Sequence, residues 1–357
     1  MPSLFTYIFA LCISAIISAL ATKAVIKYAR HHDIVDRPED APDRKIHQGS
    51  IALLGGTAIF VTVALVSLGL AFFGHDIISP DITWRKLIAV LIGGLILMIG
   101  GYLDDKKHLQ PLQQIVWPAL AVLVVVLGGI RIDFIQNPFG GYIDFIHLNW
   151  WGLPVVASVV GFFWILGVTY TTKLLDGLDG LVAGVAAIGS IVICALSLLL
   201  ETPQPQTALL AIIFAGANIG FLVYNFYPAK IFQGEGGSTF AGFMLAVLAI
   251  ISGAKIATTL LVLGIGVIDA AWVIIRRVSH GRSPWQADRE HLHFKLFDMG
   301  LTQSQAVLVL YSISLAFGLA ALFVQSFGKL VALIALAVFV VILSGLVVSL
   351  SRSSRSR

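Results

Sequence analysis

Long apolar segments separated by short polar ones dominate the chain, and their lengths are those of membrane-spanning helices. A helix needs about 20 apolar residues to cross the hydrocarbon core of a bilayer. Eleven such segments follow one another, at residues 3–27, 51–73, 86–103, 113–130, 154–172, 180–200, 207–225, 238–253, 255–275, 304–325 and 329–350. The pattern therefore predicts an all-α polytopic membrane protein with about eleven transmembrane helices.

Composition and charge support this prediction. Of the 357 residues, 58% are hydrophobic and 12% are charged, whereas ordinary soluble domains carry about 25% charged residues. A water-soluble fold of this length has too little interior to bury so much apolar surface. The formal charge of +4 comes without a basic stripe interleaved with aromatic residues, so nucleic-acid binding is not expected. We predict a single integral membrane domain at residues 1–350 and a short basic tail at residues 351–357.

The distribution of Lys and Arg predicts the orientation, because cytoplasmic loops are enriched in these residues. With the N-terminus outside, the inside loops are residues 28–50, 104–112, 173–179, 226–237 and 276–303, followed by the C-terminal tail. Of the 23 Lys and Arg residues, all then lie at the inner face except Arg85, Lys86, Arg131, Lys255 and Lys329. The sequence predicts an N-terminus outside and a C-terminus in the cytoplasm. Because positive charges follow the first apolar segment, we expect a spanning helix there and not a removable leader.

Two short inside loops carry pairs of carboxylates. Asp104 and Asp105 are adjacent, and adjacent carboxylates repel one another unless a cation compensates them. Asp176 and Asp179 stand among glycines, which allow a backbone to approach a ligand closely. Each pair taken alone also fits a hydrated helix end or a tight turn. A further acid, Asp269, lies within an apolar span, where the alternatives are a functional role and pairing with a nearby arginine.

A third inside loop places Glu235 among glycines at the start of a predicted helix, with Ser238 as a candidate N-cap. A carboxylate in this position suits a cation, and the helix start suits a phosphate. A flexible turn is the alternative. Carboxylates in several separate loops on one membrane face are harder to explain as solvated caps. We therefore predict that these carboxylates converge on a divalent-cation site.

Basic residues in two other inside loops are candidate phosphate ligands. In the last long inside loop, Arg289, His291 and His293 suit an anionic substrate. The His-x-His spacing does not predict zinc, because neither a cysteine nor a third histidine at helical spacing accompanies it. In the first inside loop, Lys45 and His47 suit either a phosphate or a positive-inside anchor.

Taken together, these motifs resemble the polyprenyl-phosphate N-acetylhexosamine-1-phosphate transferase family (glycosyltransferase family 4), and within it the WecA/TagO-like branch. The resemblance covers most of the chain. The residues that carry it are Arg44-Lys45-x-His47 before Gly55-Gly56, Gly101-x-x-Asp104-Asp105, Leu175-Asp176-Gly177-Leu178-Asp179-Gly180-Leu181, Gly234-Glu235-Gly236-Gly237-Ser238 and Asp288-x-x-His291-Leu292-His293. Such proteins transfer an N-acetylaminosugar 1-phosphate from a UDP-sugar to undecaprenyl phosphate and release UMP.

The resemblance implies a Mg²⁺-dependent transferase, with Mn²⁺ as the alternative ion, that catalyses the first membrane step of cell-envelope glycan synthesis. The donor that it implies is UDP-GlcNAc, and the acceptor is undecaprenyl phosphate. The implied location is the bacterial cytoplasmic (inner) membrane, with the active site on the cytoplasmic face. No nucleic-acid partner is expected, and a homodimer is left open.

The resemblance also implies roles for individual residues. The residues implied in catalysis are Asp104, Asp105 and Asp176. The residues implied in metal binding are Glu235, Asp105 and Asp176. The residues implied in substrate binding are Lys45, His47, Asp179, Lys173, Asn225, Arg289, His291 and His293. A one-step displacement and a covalent aspartyl intermediate both stay open.

Four positions depart from the usual pattern of the family. Glu235 stands where aspartate is usual, and Lys173 stands where asparagine is usual. Gln114 replaces a common lysine, and Phe294 replaces a common histidine. These departures leave open a catalytically inactive relative that acts as a scaffold. An MraY-like phospho-MurNAc-pentapeptide transferase is another alternative, and a transporter is a third, although no internal repeat supports it. From the sequence alone we expect Glu235→Asp to preserve activity.

Overall fold

The computed structural model describes most of the chain. The described residues are 2–40, 49–74, 77–147, 149–150, 153–199, 203–253, 256–279, 281, 291–292, 295–296 and 299–355.

Eleven α-helices lie in the described part of the chain, where turns, loops and short strands join them. Their bounds are α1 Leu4–His31, α2 Gly55–Gly69, α3 Trp84–Lys107, α4 Pro111–Leu127, α5 Val155–Leu175, α6 Leu181–Leu198, α7 Pro205–Asn225, α8 Gly234–Ile251, α9 Ile256–Ser279, α10 Gln303–Phe323 and α11 Ser326–Arg355. Ten are long and apolar enough to cross a membrane, and α4 is shorter. The predicted all-α polytopic membrane fold is therefore confirmed, whereas the orientation of the termini stays a prediction.

The helix bounds settle one ambiguity of the sequence, at the junction of the eighth and ninth apolar segments. Helix α8 ends at Ile251 with Ser252 as its C-cap, and Gly253 follows with a φ of +78°. The left-handed conformation at Gly253 turns the chain at low steric cost. The two segments therefore form separate helices and not one broken unit.

Three short antiparallel ribbons accompany the helices among the residues that the structure describes. Strand β1 (Val35–Asp36) pairs with β2 (Ile51–Ala52), β3 (Phe134–Gln136) pairs with β4 (Tyr142–Asp144), and β5 (Asn149–Trp150) pairs with β6 (Leu153–Pro154). The first ribbon matters for the site, because the carbonyl of Ala52 also accepts a hydrogen bond of 2.8 Å from the amide of Phe232. This bond ties the segment before α2 to the segment before α8.

Helix α8 is the centre of the bundle and packs against α2, α3, α5, α6, α7 and α9. Its residues from Gly236 to Ile251 are all buried. Phe240 in its second turn meets Phe60 of α2 and Phe214 of α7 edge to face. Such packing contacts hold a membrane bundle together, because lipid supplies no hydrophobic drive for helices to associate.

Glycines allow α2, α3 and α8 to touch backbone to backbone. A Cβ atom on Gly101 of α3 would overlap the backbone nitrogen of Gly236 in α8, and one on Gly56 of α2 would overlap the Cα atom of Gly237. Only a residue without a side chain fits such approaches. The contact brings the end of α3 against the beginning of α8, and so it positions the acids that these two segments carry.

Candidate active site

The last turn of α3 brings Asp105 to the beginning of α8. Its Oδ1 atom accepts a hydrogen bond of 3.0 Å from the amide of Glu235. That amide belongs to the first turn of a helix, where backbone N–H groups lack an intrahelical partner and attract negative charge. The other carboxylate oxygen, Oδ2, is buried and has no hydrogen-bond partner among the described residues. Asp105 therefore joins two of the predicted acidic motifs and keeps one oxygen unpaired.

Gly234 makes this contact between the two motifs possible. Its φ of +70° lies in the left-handed region, and a Cβ atom at this position would overlap Asp105 Oδ2. Any other residue would be strained in its backbone and would also displace the carboxylate. The glycine before Glu235 is thus required by the geometry of the site.

Asp104 points to a different neighbour from Asp105. Its Oδ1 atom accepts hydrogen bonds of 2.8 Å from the amide of Leu109 and 3.0 Å from Nε2 of Gln114. Because Gln114 lies in α4, Asp104 fixes the turn between α3 and α4. The sequence could not separate the two adjacent acids, and the structure does so through their partners.

Lys173, in the last turn of α5, lies between Gln114 and Glu235. Its Nζ atom donates to Oε1 of Glu235 at 2.6 Å and to Oε1 of Gln114 at 2.9 Å. The side chains of Lys173 and Glu235 are only 20% and 16% exposed, so this ion pair is largely shielded from water. One oxygen of the predicted metal ligand Glu235 is therefore engaged by an ammonium group.

Asp176 caps the C-terminus of α5 directly after this ion pair. The residue as a whole is exposed to solvent, and the acids Glu235 and Asp179 lie near its carboxyl group. Burial, followed by the negative charges of Glu235 and Asp179, raises the pKa of the Asp176 carboxyl to about 7. Asp176 also interacts electrostatically with Asp105. Asp105 and Glu235 are thus joined by a hydrogen bond, and Asp176 lies within electrostatic range of both; these three acids are called the acid cluster.

Two predicted substrate-binding residues have partners in the loop between α7 and α8. Asp179 is buried, and its Oδ2 atom accepts a 2.9 Å hydrogen bond from the amide of Ala229. Asn225 is also buried, and its Nδ2 atom donates to the carbonyl of Ile231 at 2.9 Å. These bonds support the loop that leads to Glu235. Contact of either residue with a substrate stays a prediction.

Ser238 is not the N-cap of α8, contrary to the expectation from the sequence. The helix begins earlier, at Gly234, with Gln233 in the cap position. The Ser238 hydroxyl instead donates back to the carbonyl of Gly234 at 3.1 Å, one turn before it. Its carbonyl accepts a 2.8 Å hydrogen bond from Thr172 Oγ1, which fastens α8 to the end of α5.

A second buried polar pair lies on α9 and the segment that follows it. Oδ2 of Asp269 is 2.8 Å from Nδ1 of His291, and Oδ1 accepts a 2.9 Å hydrogen bond from the amide of Leu292. A carboxylate at one ring nitrogen fixes the orientation of an imidazole. The sequence marked Asp269 as a buried acid but did not indicate this histidine as its partner, because the two are distant along the chain.

Several predicted residues lie outside the described residues. These residues are Lys45, His47, Arg289 and His293, together with the departure at Phe294. Their roles stay predictions.

Comparisons with known proteins bear on this arrangement. A family model described as glycosyl transferase family 4 matches residues 87–253. That stretch contains the acid cluster and Lys173, whereas Asp269 and His291 follow it.

The relatives cover most of the chain. It is 29% identical over 323 residues to the probable undecaprenyl-phosphate N-acetylglucosaminyl 1-phosphate transferase of Bacillus subtilis (strain 168), covering 89% of this chain and 84% of the relative. It is 29% identical over 331 residues to the decaprenyl-phosphate N-acetylglucosaminephosphotransferase of Mycobacterium tuberculosis (strain ATCC 25618 / H37Rv). This match covers 84% of this chain and 77% of the relative. It is 30% identical over 271 residues to the phospho-N-acetylmuramoyl-pentapeptide-transferase of Enterococcus faecalis (strain ATCC 700802 / V583). This match covers 72% of this chain and 79% of the relative. The chain therefore belongs to glycosyl transferase family 4, as its motifs indicated, and that family and these relatives are phospho-sugar transferases.

Proposed function

We propose that the protein transfers an N-acetylhexosamine 1-phosphate from a UDP-sugar to a polyprenyl phosphate and releases UMP. UDP-GlcNAc and undecaprenyl phosphate are the proposed substrates. The observation that carries the proposal is the hydrogen bond that joins Asp105 to the start of α8, where Glu235 lies, with Asp176 in electrostatic range of both acids. The names of the Bacillus and Mycobacterium relatives support the same reaction.

The negative charge of the acid cluster favours a bound cation. Carboxylates this close to one another disfavour their mutual ionisation unless positive charge compensates them. The donor diphosphate and the acceptor phosphate would add further negative charge at the same place. A divalent cation offsets both contributions, and this requirement is the physical reason to expect one in the reaction.

The residues present fit Mg²⁺. Asp105 Oδ2 is a buried carboxylate oxygen without a partner among the described residues. No group of three or more His, Cys, Asp or Glu side chains in the described part of the chain forms a ready-made metal cage. Mg²⁺ suits this situation, because it commonly uses one or two carboxylates and takes its other ligands from water and substrate phosphates. Asp105 and Asp176 are the two carboxylates that would hold the ion, whereas Glu235, the third predicted ligand, has its Oε1 atom engaged by Lys173.

Mg²⁺ would supply charge neutralisation on the diphosphate and on the departing UMP. The rest of the reaction needs a nucleophile and an orientation. An oxygen of the acceptor phosphate forms a bond to the phosphorus that carries the sugar, and the bond from that phosphorus to the bridging oxygen of UMP breaks. A phosphate monoester is already largely ionised at pH 7. Asp104, as a residue that positions the acceptor, is therefore sufficient, and a strong general base is not required.

An apolar groove supports a lipid acceptor. It lies between α1, α2 and α3, and its volume is about 380 Å³. Leu103 lines it and directly precedes Asp104, so a prenyl chain in the groove would bring its phosphate to the acid cluster. The residues that line the groove are Val25, Tyr28, Leu54, Thr57, Met98, Ile99, Tyr102 and Leu103.

The location of the reaction is part of the proposal. We propose that the acid cluster faces the cytoplasm of a bacterial cell, where UDP-sugars are made available to it. The concentration of Lys and Arg in the loops on the same side supports this orientation. A cysteine introduced at Lys107, which is exposed at the end of α3, tests it. In intact cells it should resist a membrane-impermeant thiol reagent and react only after the membrane is opened, and labelling of intact cells would contradict the orientation.

The test of the reaction is direct. The purified protein in lipid nanodiscs is incubated with undecaprenyl phosphate, Mg²⁺ and one UDP-sugar at a time, and UMP is quantified. The panel contains UDP-GlcNAc, UDP-GalNAc and UDP-MurNAc-pentapeptide. UMP release with UDP-GlcNAc that requires the lipid and stops with EDTA supports the proposal. Release only with UDP-MurNAc-pentapeptide would favour the reaction named for the Enterococcus relative, and no release with any donor would favour a scaffold.

A further inference from the structure

Three of the four residues that depart from the family pattern contact one another in the structure. Gln114, Lys173 and Glu235 form a continuous chain, because Lys173 Nζ lies 2.9 Å from Gln114 Oε1 and 2.6 Å from Glu235 Oε1. Gln114 then donates to Asp104 Oδ1 at 3.0 Å. The substitutions are 59 and 62 residues apart along the chain.

These side-chain contacts form a polar network between helices and differ from an isolated ion pair on the surface. Its four members come from α3, α4, α5 and α8. Gln114 donates through Nε2 and accepts through Oε1, so both polar atoms of its amide are used. Because the ion pair at its centre is largely shielded from water, removing one partner would leave a charge with poor solvation. The members therefore depend on one another.

Side-chain length explains why glutamate stands at position 235. An aspartate there would withdraw the carboxylate by one methylene, about 1.5 Å. The 2.6 Å contact with Lys173 would then be lost. The longer acid and the lysine therefore fit each other, and the neutral Gln114 fits both because it accepts from the ammonium while donating to Asp104. A second ammonium group at position 114 would instead face Lys173.

We propose that Lys173 is the built-in counter-ion of the acid cluster, and that Gln114, Lys173 and Glu235 act as one coupled unit that holds Glu235 and Asp104 in position. Lys173 is a positioning residue in this unit. The positive charge that the family commonly brings from the position of Gln114 enters here from α5. This inference rests on the proposed function for its catalytic consequence, whereas the coupling itself is a property of the folded protein.

The experiment compares single and combined exchanges at the three positions. The single variants are Gln114→Lys, Lys173→Asn and Glu235→Asp, and the combined variant carries all three. The control is Lys23→Asn, which removes one positive charge from an exposed position on α1. Each protein is measured in nanodiscs for UMP release, for thermal unfolding and for Mn²⁺ affinity by electron paramagnetic resonance.

The coupled unit predicts strong non-additivity. Lys173→Asn and Gln114→Lys should each lower the rate of UMP release by about 100-fold, because each leaves a charge without its partner or places two like charges together. The triple exchange should recover the rate to within about tenfold of the parent, because it restores one ammonium group facing a shorter acid. The control should keep the parental rate. The proposal would be overturned if the rate of UMP release in the triple variant were reduced by the product of the single reductions. It would also be overturned if Lys173→Asn released UMP at the rate of the control.

Metal affinity separates a counter-ion from a residue that only stabilises the fold. Lys173→Asn should bind Mn²⁺ about tenfold more tightly, since a positive charge next to the carboxylates is gone. A purely structural lysine would leave the affinity unchanged or weaken it, and that result would overturn the counter-ion role. If the parent releases no UMP, the proposed function fails. Non-additive unfolding temperatures and a tighter Mn²⁺ site would still establish the coupled unit, and additive temperatures would refute it.

Discussion

Helices α8 and α11 are both candidate membrane spans, yet they differ in how the protein uses them. Helix α8 has the lowest mean hydropathy of the ten candidate spans, and 83% of its apolar window is buried inside the protein. Helix α11 has the highest mean hydropathy, and only 11% of its window is buried. The most apolar helix therefore faces the lipid, and the helix with glycine, serine and a carboxylate in its first turns forms the centre.

The difference between α8 and α11 reflects the fact that lipid, and not water, is the solvent of a membrane bundle. In water, apolar side chains are driven inward, whereas in a bilayer they gain nothing by leaving the lipid. The interior of a membrane bundle can therefore contain small residues, which allow helices to approach closely. It can also contain the polar groups of a functional site. In this protein the most buried candidate span, α8, also carries the predicted metal ligand Glu235 in its first turn. The following predictions test this contrast, from the largest expected effect to the smallest.

The largest effect should come from Gly101→Ala, at the contact between α3 and α8. The new methyl group would overlap backbone atoms of Gly236, which cannot move aside as a side chain can. We expect a loss of about 3 kcal/mol or more in the free energy of unfolding, at or beyond the upper end of the cost of overpacking. Thermal unfolding in detergent measures it.

Gly167→Ala is the matched control, because a methyl group at this position in α5 would meet nothing within 4 Å. It should be neutral or should stabilise the protein by up to about 1 kcal/mol, since alanine favours a helix over glycine. Equal unfolding temperatures for the two variants would show that the backbone contact of α3 with α8 does not hold the centre together.

The next effect concerns turnover without a change of fold. Asp105→Asn and Asp176→Asn should each reduce UMP release by about 100-fold or more, because each removes a charged oxygen ligand from the proposed Mg²⁺ site. Both proteins should insert and unfold normally. Asp81→Asn, outside the cluster and in an external loop by the predicted orientation, is the control and should retain its rate. Near-parental rates in both cluster variants would remove the basis of the site assignment.

A smaller effect should follow from Asp269→Asn. The amide can still accept the hydrogen bond from Leu292, but the charged contact to His291 is lost. We expect a cost of about 1–3 kcal/mol in stability, as for the loss of a buried charged hydrogen bond. If His291 contacts the donor as predicted, the KM for the UDP-sugar should rise about tenfold. A change in stability with an unaltered KM would restrict the pair to a structural role.

The smallest effect is a pH dependence of stability in the metal-free protein. The pKa of Asp176 is raised from 3.8 to about 7, so the folded state holds a proton that the unfolded state releases between these values. Stability should therefore fall as pH rises through this window and should not fall further above it. Asp176→Asn should abolish this part of the dependence, and added Mg²⁺ should weaken it. Unfolding temperatures in EDTA between pH 4.5 and 8 measure the change, and parallel curves for parent and variant would contradict it.

The contacts of the site also alter one expectation drawn from the sequence. Glu235→Asp appeared conservative when only the usual acid of the family was considered. The ion pair with Lys173 changes this view, because the shorter side chain cannot keep a contact that now measures 2.6 Å. The sequence showed that positions 114, 173 and 235 depart from the pattern, but nothing in their spacing indicated that they meet. Likewise, the local sequence favoured Ser238 as an N-cap, whereas in the structure Gln233 holds the cap position, five residues earlier.

The sequence by itself determined that the protein lies in a membrane, where the apolar helices of the described residues occur, and to which family the chain belongs. It could do so because each membrane helix must satisfy its own backbone hydrogen bonds within one continuous apolar segment, and because the acidic motifs are local. Only the tertiary structure decided which acid meets which partner: Asp105 with the start of α8, Asp104 with Gln114, Glu235 with Lys173 and Asp269 with His291. These contacts join residues between 10 and 130 positions apart in the chain. The contact of Asp105 with the start of α8 depends on glycines that let the two helix backbones touch. How closely two helices approach is a property of the packed pair, which no single segment encodes.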